Sequence, residues 1–326
     1  MRILVTGGGG FLGSHIVRRL RSRGDEVRVF SRSRHPEVEA LGAESALGDV
    51  AELGQVRAAM KGVESVFHVA ARVGYWGDPK AYRRTNVEGT QNVIDACRAE
   101  GVGRLVFTST PSVVIGEKGA PAGGDASLPY PDRYLSSYGP TKAEAERRVL
   151  AAEDLHTVAL RPHFIFGPGD PQIAPRLVSR SRSGRLAQVG DGQNRVDVTF
   201  IYDCVDAHIR AHDALADDRP SCRGRAYFLG QAEPVRLWHF VARILEGFGA
   251  PPVKRKLSFN AAWRIGWALE QVYRFVPGGA EPPLTRMAAI MLGTEHWFDH
   301  TAATEDFGWK PLTPLDEALA QTFAAA

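Results

Sequence analysis

The sequence is poor in cysteine, with three widely separated residues at Cys97, Cys204 and Cys222. No two of them form a Cys-x-x-Cys pair, so the sequence indicates neither a disulfide framework nor a thiolate metal site. Free thiols of this kind suit a reducing environment, and we expect a cytoplasmic protein.

Long apolar runs are also missing. No stretch approaches the ~20 apolar residues that a membrane-spanning helix needs. The chain passes from a short apolar run at residues 3–5 into four glycines, which do not supply the apolar segment of a signal peptide. Its 40 Lys and Arg residues nearly balance its 37 Asp and Glu residues and are spread along the chain. We therefore expect no nucleic-acid partner, because no basic stripe is present to bind phosphates.

Short apolar runs alternate with helical patterns in the first half of the chain, which is typical of an α/β fold with a parallel sheet. The predicted strands are Arg2–Thr6, Glu26–Phe30, Ser65–Val69, Leu105–Ser109 and Val158–Arg161. We predict a Rossmann-type, doubly wound dinucleotide-binding domain at residues 1–166, its sheet completed by part of 195–232. Residues 167–326 are predicted to form mainly a smaller, C-terminal substrate-binding cap.

A glycine-rich loop follows the first predicted strand and opens the first predicted helix. Gly7, Gly10 and Gly13 have the G-x-x-G-x-x-G spacing of loops that bind a dinucleotide pyrophosphate at a helix N-terminus. Residues without a Cβ allow a sharp turn and a close approach of phosphate. Taken alone, such a loop is also compatible with a tight turn. We expect the cofactor to contact these glycines together with Phe11 and Leu12.

The end of the second predicted strand lacks the acidic residue that usually binds the ribose hydroxyls of NAD. Ser31 and Arg32 stand there instead, and an arginine can donate two hydrogen bonds to a 2′-phosphate. The sequence therefore favours NADP(H), although arginines after a strand are often only solvated. Asp49 and Val50, near the end of a third strand, are candidates to hold adenine, or else part of a plain turn.

Tyr138 and Lys142 are four residues apart at the start of a helix that we expect to begin near Pro140. Side chains at this spacing project from one face, which suits proton transfer to a carbonyl oxygen. We expect the Lys142 cation and an oxidised nicotinamide to lower the pKa of Tyr138, and Lys142 to hold the nicotinamide ribose. By itself the pattern often means only an exposed helical pair.

A hydroxyl at the carboxyl end of the strand before this helix would complete a catalytic group. Ligands bind at that edge of a doubly wound sheet. Thr110 is the preferred third catalytic residue and Ser109 the reserve.

Apolar residues outside these motifs offer a substrate surface. Tyr75 and Trp76, in the loop after the fourth predicted strand, are candidates to line the substrate pocket, or else core or surface aromatics. Residues 260–277 form an apolar, Trp-containing helical segment. It is predicted to pack on the cap, to line an acyl chain, or to contact a membrane surface.

Histidines give little indication of a metal. Glu295, His296 and His300 come closest, because histidines four apart share a helical face, but no third ligand is evident and we expect no metal. Three other histidines are predicted to be structural or to pack on the cofactor: His68, His163 and His208.

Several motifs together resemble the extended short-chain dehydrogenases/reductases. They are the glycine loop at 6–13, residues 67–71, 86–90 and 107–110, and the Tyr138-x-x-x-Lys142 pair. Residues 106–114 and 160–170 resemble the 3β-hydroxysteroid dehydrogenase branch, and residues 190–197 and 281–286 resemble the bacterial 2-alkyl-3-oxoalkanoate reductases. The resemblance covers nearly the whole chain and adds Ala70 to the expected cofactor site.

This resemblance implies NADPH-dependent reduction of a long-chain 2-alkyl-3-oxoalkanoic acid in olefin hydrocarbon biosynthesis, with partners that form and decarboxylate a β-lactone. The steroid enzymes usually carry Asp at the end of the second strand, where this chain has Ser31 and Arg32, and Thr110 replaces the common serine. A hydroxysteroid or sterol dehydrogenase with an apolar, steroid-like substrate and a catalytically inactive nucleotide-binding scaffold remain alternatives. A homodimer and peripheral membrane contact are open expectations.

Overall fold

The apolar runs of the first half become strands of one sheet, and the helical patterns between them become its flanking helices. The structure, a computed structural model, describes residues 1–216, 222–276 and 279–325. The strands are β1 (Arg2–Thr6), β2 (Glu26–Ser31), β3 (Glu44–Leu47), β4 (Ser65–His68), β5 (Arg104–Thr108), β6 (His156–Pro162), β7 (Ile165–Phe166), β8 (Ala187–Val189), β9 (Arg195–Val196), β10 (Thr199–Phe200), β11 (Arg225–Leu229), β12 (Val235–Arg236) and β13 (Arg255–Leu257).

The helices alternate with these strands. The α-helices are α1 (Phe11–Ser22), α2 (Pro36–Glu39), α3 (Leu53–Met60), α4 (Pro79–Arg83), α5 (Gly89–Glu100), α6 (Tyr138–Leu150), α7 (Ile173–Arg182), α8 (Ile201–Ala214), α9 (Leu237–Gly247), α10 (Phe259–Tyr273), α11 (Arg286–Gly293), α12 (Thr301–Phe307) and α13 (Leu315–Ala324). A π-helical turn at Arg84–Glu88 precedes α5, and a 3-10 turn at Pro111–Val113 follows β5.

In the described part of the chain, seven parallel strands form the central sheet in the order β3-β2-β1-β4-β5-β6-β11. The order reverses direction between β1 and β4, which opens a crevice at the carboxyl ends of the strands. The predicted doubly wound α/β fold is confirmed. Strand β11, within the range 195–232, pairs with β6 at the sheet edge. The division into two domains stays a prediction.

Helices cover both faces of the sheet, and successive residues of a strand point to opposite faces, so both sets of side chains are buried. Ile3 and Val5 of β1 belong to one apolar cluster, and Leu4 between them belongs to another. Helices α1 and α8 pack together, as do α3, α5 and α6. A third cluster joins the site end of the sheet to residues after 280, through Val113, Phe228 and Met287 among others.

Two local details refine the sequence patterns. Helix α6 begins at Tyr138, two residues before Pro140, so the tyrosine is its first residue. Residues 295–300 are not helical, and His296 lies instead in a β-bridge to Val196. The histidines there follow an extended path, and they do not share a helical face. No helix among the described residues has the length and hydropathy required to cross a membrane.

Candidate active site

The glycine loop between β1 and α1 is shaped by close backbone contacts. Gly7 has a φ of +68°, which favours glycine, and its N–H donates to the Phe30 carbonyl at 2.9 Å. A Cβ at Gly7 would lie 2.9 Å from the Ala70 backbone, and one at Gly13 would lie 2.2 Å from the Gly7 carbonyl oxygen. A Cβ at Gly10 would meet only that same oxygen, at 3.3 Å, so the space in front of the helix is open. This cradle, facing the N-terminus of α1, fits a pyrophosphate.

Of the other residues expected to contact the cofactor here, Leu12 and Phe11 differ in what they can offer. The Leu12 side chain is buried in the core, so only its backbone N–H faces the loop. Phe11 is half-buried, with its ring edge-on to His15 at 5.4 Å. Ala70 follows β4, and its N–H donates to the Thr6 hydroxyl at 3.2 Å. The structure thus brings the ends of β1 and β4 together around the loop.

At the end of β2, the Ser31 hydroxyl donates to the Ser33 carbonyl at 2.7 Å. Arg32 is exposed, and no acidic group of the described chain lies within 4 Å of its guanidinium. Sequence analysis missed His35, whose ring covers the loop so closely that a Cβ at Gly9 would lie 2.1 Å from it. His35 therefore covers the glycine loop, and the exposed Arg32 lies three residues before it in the chain.

Asp49 is already engaged by its neighbours. Its carboxylate accepts from Arg84 Nη1 at 2.6 Å and from the Ala51 N–H at 3.0 Å, and its own N–H donates to Gln55. Burial alone would raise the pKa of Asp49, but these hydrogen bonds outweigh it, and the pKa lies below its ordinary value. Val50 is buried, and its carbonyl accepts from Asn92 at 3.0 Å. A role for Asp49 and Val50 in holding adenine stays a prediction.

Tyr138 and Thr110 meet at the carboxyl edge of the sheet. Tyr138 is the first residue of α6, and Thr110 begins the short turn after β5. The Thr110 side chain lies close enough to the Tyr138 hydroxyl to lower the pKa of Tyr138, while the Thr110 hydroxyl itself donates to Ser112 Oγ at 3.3 Å. The Ser109 hydroxyl is buried and has no hydrogen-bond partner among the described residues. Geometry thus pairs Thr110, more than Ser109, with the tyrosine.

The expected lowering of the Tyr138 pKa by Lys142 is wrong for the protein groups themselves. Burial raises the pKa of Tyr138 to about 12, and the neighbouring Thr110 side chain opposes this rise only in part. Lys142 makes no contribution because its Nζ turns away, donating to the Thr108 carbonyl at 2.8 Å and lying 3.9 Å from the centre of the Phe107 ring. Tyr138 therefore keeps its proton at neutral pH.

Lys142 is itself strongly affected by its surroundings. Its side chain is 2% exposed, and this burial lowers the pKa of Lys142 to about 7, against an opposing effect of Glu146 one turn along α6. Glu146 is fully buried and forms an ion pair with Arg161 of β6 at 2.6 Å. It also accepts from the Tyr130 hydroxyl at 2.7 Å. Lys142 therefore lies next to a buried network of Glu146, Arg161 and Tyr130, whose carboxylate favours the protonated lysine.

Of the two predicted substrate residues, Tyr75 lies close to Tyr138. Tyr75 packs on the cluster that joins sheet and cap, and burial raises its pKa, with Tyr138 and Glu281 close enough to add to the rise. Trp76 is half-buried, and its carbonyl accepts from Tyr82 at 3.0 Å. The structure therefore brings Tyr75 to the site, whereas Trp76 is on its margin.

Comparison with known proteins fixes the family. Residues 4–259 match the 3-beta hydroxysteroid dehydrogenase/isomerase family. The chain belongs to this family. A 2-alkyl-3-oxoalkanoate reductase of Stenotrophomonas maltophilia is 46% identical over 100% of this chain and 99% of its own length. A decarboxylating sterol-4-alpha-carboxylate 3-dehydrogenase of Mus musculus is 35% identical over 98% of this chain and 89% of its own length.

Solved structures agree with this assignment. MoeE5, determined in complex with UDP-glucuronic acid and NAD, superimposes with a TM-score of 0.75 at 28% identity, covering 100% of this chain and 98% of its own. The predicted resemblance and enzyme class are confirmed. This 3-beta hydroxysteroid dehydrogenase/isomerase family member is an NAD(P)-dependent oxidoreductase of the extended short-chain type acting on CH–OH groups.

Sequence analysis missed how this family member joins its sheet to its cap. His163 Nε2 lies 2.7 Å from His296 Nδ1, and His296 Nε2 donates to the Met291 carbonyl at 2.9 Å. Because that carbonyl only accepts, His296 Nδ1 is the acceptor and His163 the donor when both rings are neutral. Burial lowers the pKa of both histidines, so they stay neutral.

The next residue, Phe164, has an unusual backbone conformation. It has a φ of +36°, a left-handed value that is rare for a bulky side chain. Its ring stacks on His163 at 4.3 Å, and its carbonyl accepts from the Thr199 N–H. The Thr199 hydroxyl in turn donates to the His163 carbonyl at 2.7 Å. Strain of this kind persists where the surroundings enforce it, often at a functional site.

Asn86 is a second residue that sequence analysis did not single out. It lies in the π-helical turn before α5, and its side-chain amide bonds both backbone groups of Arg72 and the Thr141 hydroxyl, at 2.7–3.2 Å. It thus ties the loop after β4 to the helix that carries Tyr138 and Lys142. The signal that the sequence offered was its place in the motif at residues 86–90, which resembles the extended short-chain dehydrogenases.

The histidines near the expected metal pattern have separate partners. His300 Nε2 lies 3.2 Å from Asp197, whereas His296 bonds His163 and Met291. Across residues 1–216, 222–276 and 279–325, no group of three or more His, Cys, Asp or Glu side chains is arranged to hold a metal ion. His68 bonds Thr6 at 2.7 Å and Thr90 at 3.0 Å, beneath the glycine loop.

Proposed function

We propose that this protein is an NADPH-dependent ketone reductase that converts a long-chain 2-alkyl-3-oxoalkanoic acid to the 2-alkyl-3-hydroxyalkanoic acid in olefin hydrocarbon biosynthesis. The observation that carries the proposal is the meeting of Tyr138 and Thr110 beside an open glycine cradle. The name and the 46% identity of the Stenotrophomonas relative support the substrate class.

The reaction adds a hydride and a proton across a ketone. NADPH, when bound, supplies the hydride to the carbonyl carbon. Tyr138 donates its phenolic proton to the oxygen, since its raised pKa keeps that proton in place at neutral pH. Thr110 donates a hydrogen bond to the developing oxyanion. The product is a secondary alcohol, and the tyrosinate then recovers a proton from solvent.

Lys142 acts through position and charge. Its Nζ donates to the carbonyl of Thr108, the last residue of β5, at 2.8 Å, and Lys142 follows Tyr138 by one turn of α6. We assign it to the nicotinamide ribose and, once protonated, to stabilising the tyrosinate. With a pKa of about 7 in the free chain, Lys142 is protonated in part of the molecules at neutral pH.

The choice of NADPH rests on the end of β2. The exposed Arg32 guanidinium has no acidic partner within 4 Å among the described residues, and so is free to bind a 2′-phosphate. Asp49, an acidic group whose pKa Arg32 helps to lower, is itself paired with Arg84 at 2.6 Å. Gly7, Gly10, Gly13, Phe11 and Leu12 are assigned to the pyrophosphate and Ala70 to the adjoining wall.

The pocket and partners follow from the substrate. Tyr75 is assigned to the wall of an apolar pocket, with Trp76 at its margin. A 3-hydroxy acid is the precursor that a β-lactone-forming enzyme requires, so we propose assembly with that enzyme and with one that decarboxylates the lactone. A cytoplasmic location and a homodimer complete the proposal.

A sterol substrate is the second candidate function. It is favoured by the mouse sterol-4-alpha-carboxylate 3-dehydrogenase, which aligns over 98% of this chain. The two candidates share Tyr138, Lys142 and Thr110 and differ in substrate. Turnover of a 3-ketosteroid with none of a 2-alkyl-3-oxo acid would assign the protein to this second function.

The decisive experiment compares NADPH oxidation by the wild type and by Tyr138→Phe, with a 2-alkyl-3-oxo acid as substrate. The variant keeps the ring but lacks the acid, so turnover should fall by ~10²–10⁴ while NADPH still binds. Tyr134→Phe is the matched control, because it removes a hydroxyl that only donates to the Val113 carbonyl. Wild-type turnover in a folded Tyr138→Phe protein would contradict the mechanism.

A separate experiment tests the cofactor. Titration by NADPH fluorescence should show that Arg32→Ala weakens NADPH binding by ~10-fold or more, the contribution of one charged hydrogen bond, and leaves NADH binding unchanged. Arg34→Ala is the control, because the Arg34 guanidinium is paired with Glu39 at 3.0 Å. A wild-type preference for NADH would show that Ser31 and Arg32 have no such role.

A further inference from the structure

Helix α10 exposes a row of apolar side chains that no described residue covers. Its buried side, formed by Ala262, Gly266 and Glu270, packs on α11. On the opposite side lies what we call the α10 stripe, in which Ile265, Val272 and Phe275 are 41%, 61% and 86% exposed, with Ala268 between them. At 100° per residue these positions follow one side of the helix and the turn after it. A continuous exposed apolar row of this kind marks an interaction surface.

Exposed basic side chains lie on α10, directly after it, and in and beside the strand that precedes it. These five cations are Lys254, Arg255, Lys256, Arg264 and Arg274. In the part of the chain that the structure describes, none of the five has an acidic group within 4 Å. The acidic residue of α10 itself, Glu270, is buried and paired with Arg286 at 2.7 Å. The surface is therefore apolar and positively charged, with no negative group of its own on the helix.

This charge distribution selects one kind of occupant. A second copy of the chain joined by two-fold symmetry would place the same cations opposite one another, which is unfavourable. Lipid headgroups of negative charge would pair with the cations, while the acyl region would cover the stripe. Trp267, 49% exposed on the flank of the helix, has the character of a side chain at a membrane interface.

We propose that the α10 stripe and its five cations form a docking surface for an anionic lipid bilayer. Helix α10 would lie in the plane of the interface, with Val272 and Phe275 inserted among the acyl chains. The chain needs no membrane-spanning helix for such contact, since binding grows with the apolar area inserted and with the number of cations near the headgroups.

The position of the surface gives it a use. After α10 the chain reaches Glu281, which forms an ion pair with Arg176 of α7 at 2.6 Å and whose charge acts on Tyr75. Docking would therefore hold the margin of the site close to a lipid phase in which a long-chain substrate dissolves. This use rests on the proposed function, whereas the docking does not.

Vesicle co-sedimentation tests the docking. We expect the wild type to bind vesicles of phosphatidylcholine and phosphatidylglycerol at least tenfold more tightly than phosphatidylcholine alone, and to be released by salt. Val272→Glu combined with Phe275→Glu should abolish binding. Leu312→Glu is the matched control, because Leu312 is 62% exposed but lies outside the α10 stripe. All these proteins should melt like the wild type, since each change is at an exposed position.

A second variant isolates the charge. Lys254→Gln, Lys256→Gln and Arg264→Gln together should remove the preference for phosphatidylglycerol. Equal binding of the Val272→Glu, Phe275→Glu protein, or failure of the wild type to bind either vesicle, would overturn the proposal. The proposal would also be overturned if the wild type were a dimer that bound no vesicles and that the Val272→Glu, Phe275→Glu changes dissociated. That result would assign the stripe to a second copy of the chain. Reduction of a short, water-soluble 3-oxo acid should be the same in wild type and variants, which keeps a failure of docking distinct from a failure of the enzyme.

Discussion

The glycine loop and the junction between sheet and cap lie at the same edge of the sheet and are held by different forces. The loop depends on missing atoms: a Cβ at Gly13 would meet the Gly7 carbonyl at 2.2 Å. The junction depends on buried, paired polar side chains such as His163 with His296, and it adjoins a second buried pair, Arg161 of β6 with Glu146 of α6. The stability of the loop should therefore respond to added side-chain volume. The stability of the junction should respond to the loss of a hydrogen-bond or ion-pair partner and to pH.

The largest expected effect comes from breaking the buried ion pair beside the junction. Arg161→Met should lower the free energy of unfolding by ~3–5 kcal/mol, because it leaves the Glu146 carboxylate buried without a cation. Urea denaturation measures the change. Arg98→Met is the control, since its pair with Asp154 at 2.8 Å is exposed and should contribute at most ~1 kcal/mol. Equal losses in the two variants would mean that burial does not set the strength of the pair.

A smaller effect is expected from filling the loop. Gly13→Ala should cost ~1–3 kcal/mol, because the added Cβ meets backbone atoms that have little freedom to shift. NADPH binding should weaken with it. Gly54→Ala is the control, since Gly54 lies in α3 with no atom within 4 Å of the added Cβ, and alanine should stabilise that helix slightly. Thermal melts that show no difference between the two variants would contradict the steric account.

The histidine contact should respond to pH, unlike the loop. His163→Phe and His296→Phe should each cost ~1–2 kcal/mol at pH 8, since each leaves the other ring without its partner. The folded pKa of both rings lies below the unfolded value, so the unfolded chain binds more protons as pH falls below ~6.5 and the wild type loses stability there. The double variant lacks these rings, and its deficit should shrink at pH 5. A deficit independent of pH would count against neutral, buried histidines.

The smallest predicted effect is a gain. Burial lowers the pKa of Lys142 to about 7. Between pH ~7 and ~10.5 the unfolded chain therefore holds a proton that the folded chain releases, and this cost to stability is present at neutral pH and fades as pH rises. Lys142→Met should raise the free energy of unfolding by ~1 kcal/mol at pH 7 and by less at pH 9, while turnover is lost. Destabilisation at pH 7 would mean that the bond to the Thr108 carbonyl outweighs the burial.

Local patterns were enough to predict much of the fold and part of the site. The glycine loop, the strands β1 and β2, and the placement of Tyr138 beside Thr110 follow from spacing within short segments. The contact between His163 and His296 joins residues 133 positions apart, and no local pattern encodes it. The raised pKa of Tyr138 in the chain without cofactor could not be predicted for a related reason, since burial depends on what the rest of the chain places around the phenol.

The ring of His35 over Gly9 has a consequence for redesign and for sequence drift. A side chain at position 9 would occupy the space of that imidazole, so the two positions share one volume. We expect them to vary together among related chains, a bulkier residue at 9 requiring a smaller one at 35. Replacing residues 31–35 to exchange NADPH for NADH would therefore change the ring that covers Gly9 as well as the charge beside the loop.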